Sequence, residues 1–76
     1  MEKDTIYSRR FIVRNAEMEP HEIVNEMDNT VSKGYHHTLE MAEKEYYALS
    51  PKMRHIKAIW CVTKSRNDGT RATIVG

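Results

Sequence analysis

The spacing of hydrophobic positions divides this chain into five segments. Residues 5–14, TIYSRRFIVR, are dense in β-branched and aromatic types and predict a strand. Tyr7, Phe11 and Val13 share one parity with Arg9, while Ile6 and Ile12 share the other with Ser8 and Arg10. NAEMEP follows as a turn whose proline suits the first position of a helix. Over residues 20–33, Ile23, Met27 and Val31 recur at i, i+4 and i+8 with Val24 beside them, one helical stripe. Glu19 and Glu22 lie at the positive end of its dipole, and Gly34 fits the left-handed residue that closes such a helix.

A second helical stripe runs through Leu39, Ala42, Tyr46 and Leu49, with Tyr35 one turn earlier. Thr38 is its expected N-cap and Ser50-Pro51 its stop, because the residue before proline avoids the helical region. The period then changes to two. HIKAIWCVTK alternates Ile56, Ala58, Trp60 and Val62 with Lys57, Ile59, Cys61 and Thr63. Asn67-Asp68-Gly69 is a hairpin signal, and RATIV is the returning strand. A two-residue turn at Asp68-Gly69 predicts Arg66 opposite Arg71, Lys64 opposite Thr73 and Val62 opposite Val75.

Assembled, these elements predict an α+β fold of order β-α-α-β-β: a three-stranded, mainly antiparallel sheet with two short acidic helices on one face. Ile59 and Cys61 spoil the polar alternation expected of a solvated second face. Two arrangements account for them: a second copy or another protein covers that face, or the helices divide between the faces.

Length and composition narrow the class. Seventy-six residues make a single domain, 1–76, of a size that buries only about 60–65% of its unfolded surface. Its single cysteine, Cys61, forms no internal disulfide, so a reducing, cytoplasmic setting is expected. The opening MEKDTIYSRR lacks the apolar core of a signal peptide. The longest apolar run, Ala58 to Val62, is far short of a membrane span.

Charge changes the picture most. Residues 15–51 carry eight acidic side chains against two lysines, while residues 52–76 carry six basic ones against a single aspartate. The formal net charge of +1 conceals that polarity, which bears on partners rather than on fold. The terminal strands offer Arg9, Arg10, Arg14, Lys57, Lys64, Arg66 and Arg71 as a cationic sheet and hairpin surface for nucleic acid. Arg9 lies on the opposite parity from Arg10 and Arg14, so these cations cannot all serve one surface. RNA is favoured over DNA, because a groove-reading helix should be basic and these two carry glutamate and aspartate. No exposed aromatic platform accompanies the basic sheet, so backbone-dominated binding is expected.

The alternative expectation is a protein-binding inhibitor or adaptor that uses Ile59, Cys61 and Tyr47, acting alone or together with RNA. It would be of the kind small phage proteins provide against host nucleases or toxins, and a homodimer is compatible with either reading. Catalysis ranks below both. His55, expected on the same strand, is too far from Cys61 to serve as its base, and the chain has no phosphate-binding glycine loop and no serine elbow. His36 and Glu40 have the i, i+4 spacing of a helical chelate. The adjacent histidines His36 and His37 diverge on a helix, however, and neither a metal nor another cofactor is expected.

Overall fold

The computed structural model describes residues 6–28 and 34–75, with the backbone alone at Tyr7 and Asp28. In chain order the elements are β1 (Ile6–Asn15), α1 (Pro20–Asp28), β2 (Tyr35–His36), α2 (Leu39–Ala48), α3 (Pro51–Ile56), β3 (Lys57–Ser65) and β4 (Gly69–Ile74). The fold is α+β, with a four-stranded antiparallel sheet of order β2-β1-β3-β4. It has one more strand and one more helix than the periodicity predicts.

Each helix starts where a side chain satisfies a backbone amide that has no partner within the helix. At α1, Pro20 occupies the first helical position, and the Glu22 carboxylate accepts from the Glu19 amide at 2.8 Å, half of a capping box. The Thr38 hydroxyl caps α2 by accepting from the Met41 amide at 3.3 Å. Ser50 then does the same for α3, accepting from the Met53 amide at 3.3 Å with Pro51 next in line. Ser50-Pro51 therefore ends one helix and begins another, and the expected strand loses His55 and Ile56 to α3. Tyr35, expected one turn ahead of α2, lies in β2 instead. Val31 and the end of the expected 20–33 helix lie outside the described residues. Gly34 has φ +90°, the left-handed conformation anticipated for it.

The ladders define the two sheet faces. Ile12 pairs with Trp60, Arg10 with Val62, Val62 with Ala72, and Trp60 with Ile74. The buried cluster Ile12, Trp60, Val62 and Ala72 closes with Ile23 of α1, flanked by Met18, Val24 and Met27. Ile12 and Ile23 are fully buried, each side chain stabilising the fold by about 1.5–3 kcal/mol relative to exposure. The Trp60 indole donates to the Asn15 carbonyl at 3.2 Å, so its polar edge has a partner inside the apolar layer.

The other face presents Val13, Ile59 and Cys61, and there α2 packs against β1 and β3. Val13 and Ala42 are buried apart from the Ile12 cluster, and Ile59 borders a groove with Leu39, Glu43, Tyr46 and Tyr47 of α2. The two helices thus lie on opposite faces rather than together. That division explains the broken alternation in β3, a strand apolar on both sides because each side meets a helix.

The hairpin closes through residues 66–68, with Gly69 at φ +70° and the Ser65 hydroxyl accepting from the Asp68 amide at 3.2 Å. Thr63 consequently pairs with Arg71 and Val62 with Ala72, not with the partners of a two-residue Asp68-Gly69 turn. The slip is an odd number of residues, so β4 presents the opposite set of side chains to each face.

Ile23→Ala should lower the unfolding free energy by about 2–5 kcal/mol in a urea titration. Met41→Ala on the exposed side of α2 should change it by no more than about 0.5 kcal/mol.

Candidate functional site

The seven cations of the terminal strands do not form one surface. Arg10, Arg14 and Lys64 share the α1 face. The Arg10 guanidinium stacks 4.7 Å from the centroid of the Tyr35 ring. Arg14 Nε donates to Glu26 Oε1 at 3.1 Å, and its Nη1 donates to the Val13 carbonyl at 2.9 Å. Lys64 is half-buried in the ladder between Ser8 and Thr70. Arg9, Lys57 and Arg71 belong to the α2 face, and Arg66 projects from the hairpin turn.

Within this set the register brings two arginines together. Arg9 and Arg71 flank Thr63 in one cross-strand row, two strand spacings or about 10 Å apart at their Cα atoms. Both are exposed, and Arg71 reaches Asp68 at 3.5 Å. A solvated pair of that kind adds little stability, so it holds the arginine only loosely.

A second cationic cluster arises because α3 exists. Tyr46, Tyr47, Pro51, Arg54, His55 and Lys57 line an open depression of about 540 Å³ at the corner between α2 and α3. Its geometry is tied from beneath, where the Tyr46 hydroxyl donates to the Arg54 carbonyl at 2.9 Å. Tyr46 and Tyr47 meet edge to face at 5.2 Å, and the Arg54 guanidinium lies 5.9 Å from the Tyr47 centroid. Tyr47 is nevertheless 63% exposed. Among the described residues, Lys52, Arg54 and Lys57 have no carboxylate partner, although Glu43 shares the adjoining groove with Lys57. Strand periodicity assigned His55 and Ile56 to β3 and hid this cluster. The signal that finds it is Ser50-Pro51 read as a cap followed by a first helical residue, which places Arg54 and His55 on a turn folded back toward Tyr47.

The three expected protein contacts fare differently. Tyr47 is open, whereas Ile59 is half-buried beside α2. Cys61 is also half-buried, and burial pushes its thiol pKa up while the Arg9 charge on the same face pulls against that rise. His36 is on β2, not on a helix with Glu40, and its Nε2 lies 2.7 Å from Glu45 Oε1 of α2. Among the described residues no group of three or more His, Cys, Asp or Glu side chains is placed to hold a metal ion. Among the same residues no helix is long and apolar enough to cross a membrane.

Comparisons with protein-family models, with curated proteins and with solved structures find no match to this chain. The functional reading therefore rests on geometry and charge.

Because the thiolate is the reactive form, Cys61 should alkylate with iodoacetamide several-fold more slowly than free cysteine at neutral pH. Arg9→Gln removes the opposing charge and should slow it further, as mass spectrometry of timed samples would show.

Proposed function

We propose that this chain is a non-enzymatic regulatory protein that binds single-stranded nucleic acid, RNA in preference to DNA, at the α2–α3 corner. The observation that carries the reading is the exposed Tyr47 ring, held edge-on by Tyr46 and bordered by Arg54, His55 and Lys57. Unpaired bases stack on such rings whatever their identity, and neighbouring cations follow the phosphates. Splayed, unpaired bases are more typical of RNA loops than of DNA, which sets the preference. At six residues, α3 is too short to read a groove, so duplex DNA is the poorer ligand. The Arg9–Arg71 row carries cations but no stacking surface and lies outside the proposed contact.

The second reading, a protein-binding inhibitor or adaptor, draws its support from the same Tyr47 and is weakened at Ile59, which is half-buried beside α2.

Fluorescence anisotropy with a labelled single-stranded RNA of about 20 nucleotides separates the two. Wild type should bind at low salt, and Tyr47→Ala should weaken binding about 5- to 100-fold, the worth of one stacked base. Arg54→Gln should flatten the dependence of log K on log salt by about 0.7, the loss of one phosphate contact. Arg71→Glu, remote from the corner, should leave affinity within about twofold. Absence of binding at about 50 mM salt, or full retention by Tyr47→Ala, would overturn the reading.

A further inference from the structure

We propose that the outer edge of β4 pairs with the same edge of a second copy, antiparallel and two-fold symmetric about Ala72, to join two four-stranded sheets into one. The order β2-β1-β3-β4 leaves β4 at an edge. The Val75 amide donates to the Ile59 carbonyl at 2.9 Å, which fixes the alternation of the ladder. Arg71 and Thr73 turn their backbone groups toward β3, and Thr70, Ala72 and Ile74 turn theirs outward. Among the described residues those outward groups have no hydrogen-bond partner. Natural edges are usually blunted by proline, lysine, bulges or a covering element. GTRATI has no proline and no lysine, its pairing with β3 runs without a register shift, and its one charge is Arg71.

The strand is complementary to itself. With Ala72 opposite Ala72, Thr70 meets Ile74 on either side of the axis, and about six backbone hydrogen bonds form. The same register sets Arg71 against Thr73. A shift of two residues in one direction opposes the two arginines, and a shift in the other forfeits about a third of those bonds.

Side chains agree with this register. Between α1 and β4 runs a groove of about 460 Å³, bordered by Pro20, His21, Val24 and Asn25 above and by Thr70 and Ala72 below. Ile74, which shares the α1 face with Ala72, is 44% exposed in the single chain. Paired opposite Thr70 of the other copy, it enters the mouth of that copy's groove, and symmetry repeats the contact. Glu22 and Glu26 do not border the groove, so the acidic side of α1 stays away from the axis.

Sedimentation equilibrium combined with amide hydrogen exchange by NMR on the full chain tests the pairing. Between about 10 μM and 1 mM the chain should pass from monomer to dimer. Over that range, exchange at Thr70, Ala72 and Ile74 should slow at least about tenfold. Arg71 and Thr73, bonded within the chain, should be protected at every concentration. Ile74→Lys should remain monomeric with an unchanged circular dichroism spectrum and lose the concentration-dependent protection. Should that variant fail to fold, Thr70→Pro removes an outward amide, as edge strands tolerate, and should weaken the dimer instead. A monomer at the highest concentration, or a dimer in which those three amides exchange freely, would overturn the proposal. So would association that persists in a folded Ile74→Lys or Thr70→Pro variant. None of these outcomes depends on whether RNA is bound.

Discussion

The antiparallel register of β3 against its two neighbours is the constraint on which the rest of the molecule depends. It stacks Ile12, Trp60 and Ile74 in one row and Arg10, Val62 and Ala72 in the next, giving α1 an apolar surface for Ile23. The same pairing turns Val13 and Ile59 to the opposite side, where Ala42 of α2 is buried. A slip of β3 by one residue would turn its side chains to the opposite faces, setting Thr63 where Val62 now stands between Arg10 and Ala72. Two packed faces also answer the problem of size, because a chain this short cannot concentrate enough apolar surface on one side of a sheet.

Function follows from what the register and the helices leave uncovered. Arg14 is tied to Glu26 and Arg10 to Tyr35, so those side chains serve packing between elements. The other cations divide between a cross-strand row near the hairpin and a corner that exists because α3 turns back on α2. The corner combines several cations with the widely exposed Tyr47 ring, which distinguishes a nucleic-acid contact from a merely basic surface. The outward groups of Thr70 and Ala72 lie beside the α1 groove, whereas Val75, just beyond β4, borders the groove shared by Tyr46, Tyr47 and Lys57.

Reading the chain by period recovers β1, the start of α1, the Thr38 cap of α2 and the presence of a terminal hairpin, because in each case a local signal and a buried side chain agree. It misses α3, since Ser50-Pro51 has two physical meanings and His55-Ile56 also satisfies a period of two. It misses β2, since two residues carry no period. It mistakes the hairpin partners, because Asn67-Asp68-Gly69 suits both a two-residue turn and the observed one, in which Ser65 caps Asp68 and Gly69 takes a positive φ. That single ambiguity misplaces Arg71, and with it the candidate surface. Charge totals per segment reveal a polarity along the chain but not which face each guanidinium occupies. The assignment of helices to faces was left open by the residues themselves, since Ile59 and Cys61 ask for cover without naming what provides it.

The register is tested most directly by cross-strand contacts between α-protons, read from NMR spectra of the isotopically labelled protein. Val62 and Ala72 form a non-hydrogen-bonded pair of an antiparallel ladder, the type in which the two backbones approach most closely. A strong nuclear Overhauser effect should therefore join their α-protons. Its absence, with a contact between Val62 and Val75 in its place, would contradict the pairing and the division of faces built upon it.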